Sequence, residues 1–123
     1  MTSKEEFVNK VKNLGIEAGL AFDIDTEVEE IPEETDLVLL LARKAGFEHF
    51  DFNEKIWEKI EKLKKIREEK QLEFKIGVDG SVDETNIGKL NRVGVEIAYC
   101  GGAIFNGKVD DNLEKLKYAS ENK

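Results

Sequence analysis

Residues 74–80 read Phe-Lys-Ile-Gly-Val-Asp-Gly. Apolar bulk falls on Phe74, Ile76 and Val78, and Lys75, Gly77 and Asp79 alternate with it, so a strand here has one bulky face and one small, polar face. Asp79-Gly80 is a turn-forming pair that ends the strand. Helical spacing then runs from Asp83 to Val93 and stops at Gly94, which makes this stretch a strand followed by a helix.

The same unit recurs on both sides. Downstream, Val95 to Cys100 reads as a strand and Asp111 to about Ser120 as a helix. Upstream, Asn53 caps a long helix whose Ile56, Trp57, Ile60, Leu63 and Ile66 form one apolar stripe, which places Trp57 in the core. Leu37 to Ala42 is a buried strand. Ala18 to Ile24 is a shorter one, followed by a brief helical turn capped by Thr26 and Glu29 and limited by Pro32. Ser3 and Glu6 form a capping box for a first helix that carries Phe7, Val8, Val11 and Leu14 and ends at Gly15. A helix followed by four β/α units forces parallel strands joined by right-handed crossovers, and no linker interrupts residues 1–123. The prediction is one α/β domain.

The other strands also have unequal faces. Leu20 and Phe22 oppose Gly19, Ala21 and Asp23 in the first, and Val95, Ile97 and Tyr99 oppose Glu96, Ala98 and Cys100 in the fourth. Bulky faces suit outer helices, and small faces with isolated charges suit a barrel interior, where Lys75 and Glu96 come within pairing reach. A whole eight-stranded β/α barrel takes ~250 residues, so 123 residues suit half of one. A free half leaves its interior face and two sheet edges open. Three arrangements answer this: a barrel closed by a second copy or another chain, two polar faces stacked as a sandwich, or a monomeric open sheet with helices on both faces.

The net charge of −8, from 27 acidic and 19 basic residues, argues against nucleic acid and anionic membranes as partners. No apolar run approaches a membrane span, the N-terminus shows no signal-peptide core, and Cys100 is the sole cysteine, so the reading is a soluble, cytoplasmic protein. The same field opposes an anionic ligand, although backbone amides at a helix start can overcome it.

Four segments, in order, resemble the last four β/α units of ribulose-phosphate 3-epimerases. These are Gly19-Leu20-Ala21-Phe22-Asp23, Leu39 through Phe52 with Gly46-Phe47, Ile76-Gly77-Val78-Asp79-Gly80 followed by Asp83-Glu84-Thr85, and Cys100-Gly101-Gly102-Ala103-Ile104-Phe105. The resemblance implies the C-terminal half of a TIM (β/α)8 barrel that handles a pentulose phosphate. It assigns Asp79 as metal ligand and proton-transfer group, and places Gly46, Phe47, Gly80 and Gly101 at the phosphate. The implied cofactor is a divalent metal (Zn, Mn, Fe or Mg), and the implied partners are a sugar phosphate and a homodimer mate or complementary half-barrel chain.

The resemblance also shows departures. The family's opposing aspartate, two metal-binding histidines and a serine belong to the first half of its barrel, for which this sequence has no counterpart. His49, the single histidine, falls in a loop where the family has glycine and reads as a loop side chain. Glu48 replaces another glycine and would repel phosphate, Ser81 replaces a third, and Gly102 stands for a serine. Asp23 shares the inferred parity of Asp79, so the two carboxylates could hold a hard cation together, and Cys100 reads as a structural thiol. The alternative to an epimerase is a non-catalytic member that binds a phosphorylated metabolite or serves in assembly.

Overall fold

The computed structural model describes residues 3–42, 52–100 and 107–121. Strands β1 (Gly19–Phe22), β2 (Leu37–Leu41), β3 (Lys75–Asp79) and β4 (Ile97–Tyr99) form one parallel sheet in the order β1-β2-β3-β4. Helices α1 (Ser3–Asn13), α2 (Ile56–Glu69), α3 (Ile87–Arg92) and α4 (Val109–Glu121) complete the expected alternation. The fold is α/β, four parallel strands with helices, consistent with part of a TIM barrel.

Register fixes the two faces, because partners across parallel strands share a side. Leu20, Val38 and Ile76 form one row of the covered face, and Phe22, Leu40, Val78 and Ala98 form the next. Phe22, Val38, Leu40, Ile76 and Val78 are buried against Ile56, Ile60 and Leu63 of α2 and Leu90 of α3. Each such side chain contributes about 1.5–3 kcal/mol on burial. The opposite, open face carries Gly19, Ala21, Leu37, Leu39, Leu41, Lys75, Gly77, Asp79, Ile97 and Tyr99, and among the described residues no helix covers it. Among the described residues, the helices therefore lie on one face of the sheet and not on both.

The crossover from β1 to β2 departs from expectation. Residues 23–36 form no helical turn; Ile24, Val28 and Ile31 are buried, but along an irregular strap. Its carbonyls are taken by lysines: Lys4 Nζ lies 2.9 Å from Glu29 O, and Lys59 Nζ donates to Asp23 O and Thr26 O. At Thr26 and Glu29 those bonds stand where a helix would supply amide partners, whereas Asp23 O also takes the Thr26 amide at 3.0 Å, and Glu30 sits at φ 53, outside helical geometry. At its end Asp36 accepts the Ala18 amide at 2.7 Å and Lys12 Nζ at 3.0 Å. The amide first, and Lys12 second, hold its carboxyl below the ordinary range.

Other boundaries move for local reasons. Instead of starting at Asp83, α3 starts at Ile87, because the Asp83 carboxylate accepts the Thr85 amide and the Asn86 side chain accepts the Asp83 amide. Most of the α1 stripe is left outside: Val8 is buried, but Phe7 and Leu14 are exposed. The end of α2 is a Schellman motif, with Leu72 N–H on Arg67 O at 2.9 Å, Gln71 N–H on Glu68 O at 3.3 Å, and Gln71 at φ 54. Lys75 and Glu96 do not pair. Glu96 instead takes Arg67 Nη1 at 2.7 Å and the Ile76 amide at 3.2 Å, which draws it toward α2.

Candidate functional site

Asp79 is the last residue of β3, in one register row with Leu41 and Tyr99. That row faces away from the helices, on the side of Gly77, so the carboxylate stands at the C-terminal rim of the open face. A Cβ on Gly77 would lie 3.3 Å from Tyr99 Cε2, so the glycine admits the tyrosine ring over the sheet. Tyr99 is 40% exposed beside this rim.

Tyr99 is the residue that sequence alternation misassigned. It was expected on the bulky outer face with Val95 and Ile97, but Gly77 pairs with Ile97 and Asp79 with Tyr99, which puts both on the open face and Ala98 on the covered one. Val95 lies before the strand, and only three residues of β4 pair, so alternation had little length to act on. Glycine two positions before the residue that pairs with Tyr99, leaving room for its ring on the diagonal, was the available signal.

After Asp79 the chain turns sharply through Gly80 at φ 107 and Ser81 at φ 58. Gly80 needs its missing Cβ for that conformation, whereas Ser81 occupies a left-handed position that glycine adopts more readily. Buried Asn86 braces the turn by donating to Ser81 O at 2.9 Å while accepting from Asp83 N–H at 3.0 Å. The rim carboxylate therefore rests on a turn held from below. Gly46, Phe47, Glu48, His49, Gly101 and Gly102 lie outside the described residues, so of the phosphate positions only Gly80 is placed.

Cys100 is half-buried and packs against the covered-face core. Burial, then the carboxylates of Asp79 and Asp83, push its thiol up, which keeps it protonated and a poor nucleophile. Asp23 follows β1, with β2 between it and Asp79, two strand spacings or roughly 10 Å. Its Oδ1 accepts the Ile24 amide at 2.7 Å. Among the described residues no group of three His, Cys, Asp or Glu side chains could hold a metal ion. Trp57 is only partly buried, at the edge of the core rather than within it: its Nε1 donates to Glu54, Phe52 lies 5.4 Å away between centroids, and Lys89 Nζ stands 4.2 Å over the ring.

Two surface hollows, each of about 430 Å³, lie elsewhere: one beside Thr35, Asp36 and Glu73, the other beside Val28, Lys55 and Lys59. Asp79 lines neither. No helix among the described residues is long and apolar enough to cross a membrane.

A strand-end Asp-Gly on the face of a parallel β/α sheet that no described helix covers is the arrangement the family resemblance implies, and sequence comparison agrees on the family. The model of the Ribulose-phosphate 3 epimerase family matches residues 1–105. The chain belongs to this family. Among relatives of the ribulose-phosphate 3-epimerase family, the Aquifex aeolicus ribulose-phosphate 3-epimerase is 32% identical over 111 residues, covering 87% of this chain and 50% of the relative. The chloroplastic ribulose-5-phosphate-3-epimerase of Arabidopsis thaliana is 34% identical over 113 residues, covering 89% and 40%. The Escherichia coli K12 enzyme is 27% identical over 99 residues, covering 78% and 44%. The chain thus spans about half the length of the curated epimerases it matches.

Proposed function

We propose that this chain is the Asp79-bearing half of a ribulose-phosphate 3-epimerase, which acts on a pentulose phosphate once the rest of the barrel is supplied. The observation that carries this reading is the position of Asp79, at the C-terminal rim of a sheet face that no described helix occupies. Barrel enzymes do their chemistry at that rim.

In this role the Asp79 carboxylate takes the C3 proton of the substrate, leaving the electron pair on an enediolate, and a second acid on the opposite side returns a proton with inverted configuration. Gly80 and the unplaced Gly46, Phe47 and Gly101 leave room for a phosphate near backbone amides. A divalent metal (Zn, Mn, Fe or Mg) would stabilise the enediolate charge. Asp79 can give such an ion one ligand, but the described residues do not build a metal site without further groups from the other half.

The alternative is a non-catalytic, epimerase-derived assembly or metabolite-binding domain, and it draws support from Glu48, a carboxylate where the family resemblance has a phosphate-loop glycine. Conversion of ribulose 5-phosphate to xylulose 5-phosphate separates the two. With divalent metal and the uncovered half of the Aquifex aeolicus relative added, Asp79→Asn is expected to lower turnover at least 100-fold, about 2.7 kcal/mol in barrier. Equal background rates for both proteins remove the enzyme reading.

A further inference from the structure

The covering of the sheet does not match its strand count. Four strands leave three gaps, filled by the strap of residues 23–36, α2 and α3. Two further segments remain. Before β1 comes α1, which reaches the covered side, where Lys4 Nζ lies 5.0 Å over the Phe22 ring. After β4 comes α4, tied to α3 by Asn91 Nδ2 on Ser120 O at 2.8 Å. In a right-handed β/α ring, α1 therefore belongs over the seam that precedes β1, and α4 over the seam that follows β4.

An eight-stranded barrel has eight such positions, one helix to each. Closure by a second copy would place α4 of one chain and α1 of the other over the same seam, twice, and each helix is about 10 Å across. The described residues supply five covering segments per chain, which makes ten for eight places. The net charge of −8 would also double within one closed body.

We propose that the open face is completed not by a second copy but by a different β/α unit, one with four parallel strands and helices only in its three internal connections. Such a unit leaves both seams to α1 and α4, and the covering count comes to eight. It rests on the family reading above and deepens it, because the rim opposite Asp79 then belongs to that unit. The helices assigned to the two seams carry exposed apolar residues: Leu14, 75% exposed, directly after α1, and Leu113, 47% exposed, on α4.

The test reads mass, not turnover. Light scattering on the protein alone should give one chain, and mixing with the uncovered half of the Aquifex aeolicus relative should give a one-to-one complex. Leu14→Glu should keep the unbound protein's melting curve and weaken the complex at least tenfold. A mass of two or more chains for the protein alone overturns the proposal. So does a mixture that stays as two species, or a Leu14→Glu variant that binds as the parent does. A complex without epimerase activity supports the assembly while removing the enzyme reading.

Discussion

The two faces of one sheet have different fates. On the covered face, Val38, Leu40, Ile76 and Val78 have lost all contact with water; on the open face, Leu37, Leu39 and Leu41, from the same strand run, remain partly exposed. The covered face stabilises this chain by itself. The open face is apolar and carries Asp79 at its rim, and it is the face that the proposed completion of the barrel would cover. Alternation along a strand, which puts neighbours on opposite sides, lets one short sequence meet both demands.

The strongest test of this contrast is a pair of truncations. Ile76→Ala on the covered face should cost about 2–5 kcal/mol, as buried deletions in packed cores do, whereas Leu39→Ala on the open face should cost under about 1 kcal/mol. Urea unfolding of both variants provides the comparison. Similar losses would mean that the open face is packed in solution.

A smaller effect probes the open face directly. In Gly77→Ala the added methyl crowds Tyr99 Cε2 at 3.3 Å, but the ring borders open space and can shift. The alanine also reduces unfolded-chain entropy, so stability should change by less than about 1 kcal/mol. Thermal melts would report it, and a loss above about 2 kcal/mol would show the ring fixed in place.

The smallest effect couples the faces through Cys100. Its raised thiol pKa means less thiolate at a given pH, so alkylation by iodoacetamide should need a more alkaline pH than for free cysteine. Burial is the larger cause, and the Asp79 charge across the sheet adds to it. Asp79→Asn should therefore move the alkylation midpoint to lower pH, by less than exposing the thiol would. An unchanged midpoint would place the Asp79 charge beyond reach of the thiol.

Much of this was legible from residue order. Apolar strands alternating with helically spaced stretches gave the parallel α/β order, although α2 starts from Lys55 without the side-chain cap expected of Asn53, and alternation through Phe74–Asp79 gave the side on which Asp79 stands. Two things were not legible. The 23–36 segment has apolar residues at 24, 28 and 31, a helical spacing, but lysines from α1 and α2 capture its carbonyls, and no local pattern announces such distant bonds. Glu96 looked like an interior partner for Lys75 until Arg67, 29 positions away, claimed it. Tyr99 was misassigned because the paired part of β4 is too short for alternation to show its phase. These failures arise where long-range contacts override local spacing, whereas the strand-end Asp-Gly succeeds because its turn chemistry is local.

The turn at the end of α2 has a further consequence. Gln71 occupies the left-handed position where a Schellman motif ordinarily has glycine, and Glu30 and Ser81 hold similar angles. Each side chain forgoes about 1 kcal/mol relative to an unstrained backbone. Across three sites that is a sizeable share of the 5–15 kcal/mol that holds a typical domain together. The fold therefore retains an untapped reserve of robustness, reachable by small backbone-directed substitutions, and those at Glu30 and Gln71 leave the Asp79 rim as it is.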